Sequence, residues 1–194
     1  MPTAIRIDDP RGPLLFEREI HSDERGAFLE DYHEERYRTL GFEARFVQTN
    51  RSTSRGGVLR GLHYQHPGGQ GKLVSVTRGT VFDVAVDIRT GSPTFGRWYG
   101  VELSADNGRQ LWIPPDFAHG FLALSDEADL LYHCTDFYDP ASEHTLAWDD
   151  PSVGIEWPGR DPILSPKDRE GLTLEALTLV GHLPSWRDPA RAED

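Results

Sequence analysis

The chain has 194 residues, of which 37% are apolar and 27% charged, enough for one domain with a core and short for two. A net charge of −12 argues against non-specific nucleic-acid binding, which needs a basic surface, and no apolar run approaches the roughly 18 residues that span a bilayer. The opening M-P-T-A-I-R-I-D-D-P lacks the basic start and apolar centre of a signal peptide, and one cysteine, Cys134, excludes an intrachain disulfide, so a cytoplasmic setting is expected with no membrane partner.

In chain order, Pro13 to Glu19 reads as a strand, followed by a polar turn, H-S-D-E-R-G. Ala27 to Asp31 is a short strand that puts Phe28 and Glu30 on one face. His33 to Leu40 is the best helix candidate, with Gly41 as its C-terminal cap. Short strand-like runs follow at 44–50, 58–65, 72–78, 81–88, 97–103, 110–113, 120–124 and 130–137, many of them separated by Gly-, Pro- and Asn-containing turns. That cadence predicts an all-β sandwich or barrel and not βαβ units. Within 81–88, Phe82, Val84, Val86 and Ile88 share one face, and Val81, Asp83, Ala85 and Asp87 the other. Small and acidic side chains turned inward would suit a wet cavity; turned outward they would be ordinary solvated aspartates. After Tyr138 the pattern dissolves into proline-stiffened loop, in which Ser165 and Pro166 read as the N-cap and first residue of a short helix carrying Lys167 and Asp168. A single domain is expected over 1–180, and a frayed tail over 181–194.

The densest chemistry lies between Val58 and Val76, V-L-R-G-L-H-Y-Q-H-P-G-G-Q-G-K-L-V-S-V. Strict alternation would put Arg60 and His63 on opposite faces, but Gly61 between them is where a bulge would re-aim its neighbours. Guanidinium and imidazole would then share a face, with Lys72 opposite on the return strand. By itself the segment is better read as an ordinary half-exposed strand, with a solvated Arg and Lys and a hydrogen-bonded His. A second histidine, His119 in I-P-P-D-F-A-H-G-F, resembles one signature of cupin barrels, with Asp116 where a glycine would stand. The companion metal-binding pattern is broken: His63 and His66 lack the H-x-H spacing, the carboxylate ligand is missing, and Lys72 occupies its segment. A fixed ammonium beside a divalent cation is electrostatically wrong, so the expectation is a cupin-like antiparallel β-barrel (jelly roll) with a few short helices and no metal.

The motifs R-G-x-F-x-E (Arg25 to Glu30), F-V-Q-x-N (Gln48, Asn50), V-L-R-G-L-H-Y-Q, G-K-L-V, V-F-D-V-A-V-D-I-R, F-A-H-G-F, W-D-D-P, I-E-W-P and L-S-P-K-D occur in that order. Over roughly residues 3 to 175 the chain thereby resembles the dTDP-4-dehydrorhamnose 3,5-epimerases (RmlC). The resemblance implies a cofactor-free epimerase acting on dTDP-4-dehydro-6-deoxy-D-glucose, with His63 as base, Asp168 paired to it, Lys72 stabilising an enolate and Tyr132 returning the proton. It further implies that Arg25, Glu30, Gln48, Thr49, Asn50, Arg60, His119, Glu143 and Lys167 hold the nucleotide sugar. Tyr138 is a rival proton donor, since strand spacing would put it on the same face as Tyr132. A homodimer with an N-terminal strand crossing to the partner is implied as well. The alternatives are an epimerase of one centre only, a metal-dependent cupin oxygenase using His66, and a non-catalytic nucleotide-sugar binding module.

Overall fold

A computed structural model of the chain describes residues 2–6 and 11–187. Among the described residues thirteen strands run from β1 (Thr3–Arg6), β2 (Leu14–Glu17), β3 (His21–Asp23) and β4 (Gly26–Phe28) through β5 (Gln48–Arg55), β6 (Leu59–Gln65), β7 (Lys72–Arg78) and β8 (Thr80–Asp87). They continue as β9 (Trp98–Ser104), β10 (Arg109–Ile113), β11 (Phe117–Ala123), β12 (Glu127–Cys134) and β13 (Glu143–Thr145). Three short helices complete the set, α1 (Glu34–Thr39), α2 (Pro166–Arg169) and α3 (Leu174–Leu179). A six-stranded sheet of order β1-β2-β10-β7-β12-β5 faces a five-stranded sheet of order β13-β6-β11-β8-β9, and every strand pairing is antiparallel. The expected jelly-roll architecture is therefore present.

The central strands of both sheets are covered on two faces. Val74, Val76, Leu111 and Leu130 from the larger sheet meet Val81, Ala85, Phe117 and Phe121 from the smaller one in the shared interior. On the far side of the larger sheet, Tyr37 of α1 and Phe42 cover Leu14, Phe16 and Leu73. On the far side of the smaller sheet, Leu174 and Leu177 of α3 cover Leu62, Val84 and Val86. Covering both faces with apolar side chains is what lets β11 be buried along its whole length.

Several sequence expectations change. The polar run 21–26 is a hairpin, β3 paired with β4, because Asp23 accepts from the Arg25 backbone and closes the turn. Glu30 lies beyond β4, so it does not share a strand face with Phe28. The strand expected at 44–50 runs instead from Gln48 to Arg55, and the one expected to reach Phe137 ends at Cys134. Of the tail expected over 181–194, residues 181–187 are built into the domain. Ser185 bridges Thr90, Trp186 N donates to Thr90 O at 2.9 Å, and Leu183 is buried. The Arg89 guanidinium sits 4.5 Å from the Phe117 ring and 4.4 Å from that of Trp186, a stacked arrangement that holds this segment across the end of β8. Residues 188–194 lie outside the described residues.

Candidate active site

The inward-facing residues of the two sheets become polar towards one end of the interior. On β6 the bulge expected at Gly61 is present: His63 pairs with His119 and Arg60 with Phe121, so Gly61 and Leu62 of β6 oppose Gly120 alone of β11. His119 and Phe121 share the inner face of β11, and their partners therefore both point inward. Gly61 has φ +116°, and a Cβ there would meet the Gly120 Cα and the His119 carbonyl oxygen at 2.6 Å, so only glycine fits. An R-x-H spacing in a regular strand would also have put both residues inward. The Gly61 backbone N–H helps to hold the Asp168 carboxyl below its ordinary range.

That carboxylate arrives from α2. Ser165 caps the helix by accepting from Asp168 N at 3.2 Å, and Pro166 occupies the first helical position, as the sequence indicated. Asp168 Oδ1 stands 2.6 Å from His63 Nε2, and Oδ2 accepts the Ser165 hydroxyl at 2.8 Å. The Asp168 side chain is 4% exposed and that of His63 28%. Burial opposes ionisation of Asp168, but the bonds from His63 and Ser165 outweigh it and hold the carboxyl below its ordinary range. Burial likewise lowers the His63 pKa, against the opposing pull of Asp168. With Nε2 donating to the carboxylate, the lone pair of a neutral imidazole is on Nδ1.

The opposite wall belongs to β7, β12 and β5. Lys72 is at the start of β7, on the inner face with Val74 and Val76, and burial lowers its pKa. Tyr132 of β12 also packs against the interior; burial raises its pKa, opposed by the Arg60 charge and by Asn50. Asn50 lies opposite Tyr132 in register, accepts from Gln48 at 3.1 Å and donates to Cys134 Sγ at 3.8 Å. His119 on the β11 wall is bonded through Nε2 to both oxygens of Asp83, at 3.1 and 3.0 Å. The inward placement of Asp83 thus follows the first of the two readings of its strand. Arg60 closes one edge, donating to Ser54 Oγ at 2.9 Å and to Thr53 O at 3.1 Å.

At the other edge β13 pairs with β6 and brings Glu143 beside Gln65. Glu143 accepts from Lys167 at 2.5 Å and from the Tyr138 hydroxyl at 2.8 Å. Burial disfavours the Glu143 carboxylate, yet these two bonds keep its pKa low, while the bond to Glu143 raises that of Tyr138. Tyr138 follows the end of β12, so its proximity comes from this bond and from its N–H to Gln48 Oε1 at 3.0 Å, not from strand alternation. Arg60, His63, Ser165, Lys167 and Asp168 line a cleft of about 300 Å³ with Leu59 and Ile163.

The structure brings together His63, Asp168, Lys72, Tyr132, Arg60, His119, Gln48, Asn50, Glu143 and Lys167. Three expected residues are elsewhere. Thr49 points to the outer face, its hydroxyl 2.9 Å from His133 Nδ1. Arg25 lies in the β3–β4 turn, paired with Asp23 and with its side chain 86% exposed, and Glu30 is paired with Arg36. Asp83 and Ser165 are the residues not anticipated as part of the site. The S-x-x-D spacing of Ser165 and Asp168, a capping-box variant, was the available signal for the second. His66, which an oxygenase would place beside His63, lies beyond the end of β6 and lines a separate cleft with Arg89 and Trp186. Among the described residues no three His, Cys, Asp or Glu side chains converge as a metal site requires.

A histidine–aspartate pair on one wall of a jelly roll, facing a lysine and a tyrosine on the other, is an arrangement of the kind that moves protons. The family model for dTDP-4-dehydrorhamnose 3,5-epimerase matches residues 9–176. The dTDP-4-dehydrorhamnose 3,5-epimerase of Pseudomonas aeruginosa is 54% identical over 171 residues, 87% of this chain and 93% of that one. The crystal structure of a dTDP-6-deoxy-D-glucose-3,5-epimerase from Legionella pneumophila in complex with dTDP-4-keto-L-rhamnose superposes with a TM-score of 0.91 at 50% identity, covering 96% of this chain and 100% of that chain. A dTDP-4-dehydrorhamnose 3-epimerase of Streptomyces niveus is 44% identical over 170 residues, 87% of this chain and 82% of that one. The chain belongs to the dTDP-4-dehydrorhamnose 3,5-epimerase family.

Proposed function

We propose that the protein converts dTDP-4-dehydro-6-deoxy-D-glucose to dTDP-4-dehydro-L-rhamnose by inverting C3 and C5, as part of dTDP-L-rhamnose synthesis in the cytoplasm. The C4 ketone acidifies the hydrogens on both neighbouring carbons, so a base, a cation and an acid suffice, and neither metal nor organic cofactor enters the reaction. His63 Nδ1 takes the proton, and Asp168 stabilises the imidazolium that forms. The electron pair moves onto the C4 oxygen, where the buried Lys72 ammonium meets the developing enolate charge. Tyr132 returns a proton from the opposite wall, which inverts the centre. Arg60 suits the diphosphate because its planar fork can bond two oxygens. His119, Gln48, Asn50, Glu143 and Lys167 position the rest of the nucleotide sugar. The observation that carries this reading is the His63–Asp168 bond on the wall facing Tyr132 and Lys72.

A single-centre reaction is the second reading, favoured by the 44% identity to a 3-epimerase. The two are separated by incubating the protein with dTDP-4-dehydro-6-deoxyglucose in deuterated water containing EDTA and following C3 and C5 by proton NMR. Deuterium at both carbons, with the L-rhamno product, is expected. Deuterium at one carbon selects the single-centre reaction, and none at either carbon overturns the proposal.

The working unit in this reading is a homodimer; β1 and β2 pair within the chain's own sheet, so the segment that crosses to the partner is the exposed β3–β4 hairpin and not the N-terminal strand that the resemblance implied. Arg25 and Phe28 stand out on an exposed hairpin, and Arg25 and Glu30 would serve the substrate by reaching the cavity of a second copy. Sedimentation equilibrium should give twice the chain mass; a monomer that is fully active when dilute would reject this part.

A further inference from the structure

Ser165 is bonded to Asp168 twice. Its oxygen accepts from the Asp168 backbone N–H at 3.2 Å, and its hydroxyl donates to Asp168 Oδ2 at 2.8 Å. The first bond is ordinary helix capping. The second is not required by the helix, and it lands on the carboxylate oxygen that His63 leaves vacant. A carboxylate gripped at one oxygen can still rotate about Cβ–Cγ; gripped at both, it is fixed in the plane of its partners. The helix cannot supply this rigidity alone, because α2 is a single turn of four residues and isolated helices of that length are unstable in water. Lys167 in the same turn reaches Glu143 of β13, so the turn is tied to the cleft on both sides of the carboxylate.

We propose that Ser165 is a positioning residue for the base: its hydroxyl locks the Asp168 carboxylate in the orientation that holds the His63 imidazole, in addition to capping α2. The inference rests on His63 acting as the base. Ser165 is itself exposed, so replacing it by alanine removes no core contact and leaves no cavity.

Two substitutions and two readouts test it. Ser165→Ala should lower kcat about tenfold, the low end of what loss of an outer orienting partner costs, with KM within about twofold. The acid limb of the kcat/KM profile should move to lower pH, since a loosened Asp168 supports the His63 imidazolium less well. Ser165→Thr keeps both the cap and the donor and should restore kcat to within about twofold. The His63 imidazole resonances, followed by NMR through a pH titration, should move in the alanine variant in the same direction as the acid limb, which reads the pair without reference to turnover. An alanine variant with unchanged kcat and unchanged His63 titration, whatever its melting temperature, would reduce Ser165 to a helix cap. A titration that moves to higher pH would also overturn the proposal. Full activity in His63→Asn would instead remove the base assignment itself, and that result is separable from any outcome at position 165.

Discussion

His63 and Asp168 are 105 residues apart in sequence and 2.6 Å apart in the fold, joined Nε2 to Oδ1 with the carboxylate almost fully buried. An imidazole that must accept a carbon-bound proton gains most from a charge placed where its own positive charge will form. Asp168→Asn keeps the shape and removes that charge. We expect kcat to fall by about 10²–10⁴-fold with little change in thermal midpoint, by analogy with other carboxylate-supported histidines. Steady-state kinetics and a melting curve on the same preparation check this, and a kcat within threefold of the parent would rule out the pairing as catalytic.

The pH dependence follows from three directions of shift. His63 must be neutral to act, and its pKa is lowered from 6.5 by burial, so activity should persist below pH 6.5 before declining. Lys72 must be charged, and burial lowers its pKa from 10.5, whereas that of Tyr132 is raised above 10.0. The alkaline limb of kcat/KM should therefore belong to Lys72 and fall below 10.5. Lys72→Arg should push that limb upward, at a lower maximum rate; a limb that stays in place assigns it elsewhere.

The two tyrosines can be separated by isotope. Tyr132→Phe should leave deuterium exchange at the acidified carbon within about tenfold of the parent, because His63 still deprotonates, while inversion drops by about 10²–10⁴-fold for loss of the general acid. Tyr138→Phe should retain inversion and weaken substrate binding through the lost bond to Glu143. The opposite pattern would transfer the donor role to Tyr138.

Gly61→Ala is expected to be severe. The added methyl group meets β11 backbone at 2.6 Å in a backbone region that alanine avoids, for a combined cost of about 2–5 kcal/mol. Urea unfolding would register this as a lowered midpoint, and an alanine variant of parental stability would contradict the close approach seen here.

Much of the frame was legible in the residues. The division of β8 into two faces, the helix ended by Gly41, the Gly61 bulge and the Ser165–Pro166 start of α2 all follow from local rules of alternation, capping and turn chemistry. What escaped is what lacks a local period. The central strands of both sheets are covered on two faces, so β11, uniformly buried, has no polar side to mark its start at Phe117. The six-residue α3 and the three-residue β13 are too short to show a repeat, and residues 181–187 are held by Trp186 stacking that no spacing encodes. The His63–Asp168 pairing is invisible to pattern; family resemblance pointed to it. Thr49 shows the limit of motif carry-over: it sits between two inward residues, and alternation alone turns it outward.

The bulge at Gly61 makes this region sensitive to strand length as well as to residue identity. Deleting one residue between Arg60 and His63 would restore a regular ladder with both side chains still facing inward, and so would look harmless on a helical-wheel or strand diagram. It would also shift the Gly61 amide, whose N–H helps to keep the Asp168 carboxyl ionised. No point substitution elsewhere regenerates a main-chain N–H. Strand length at this corner is therefore open only to insertions and deletions, and a mutational scan confined to substitutions would leave it unsampled.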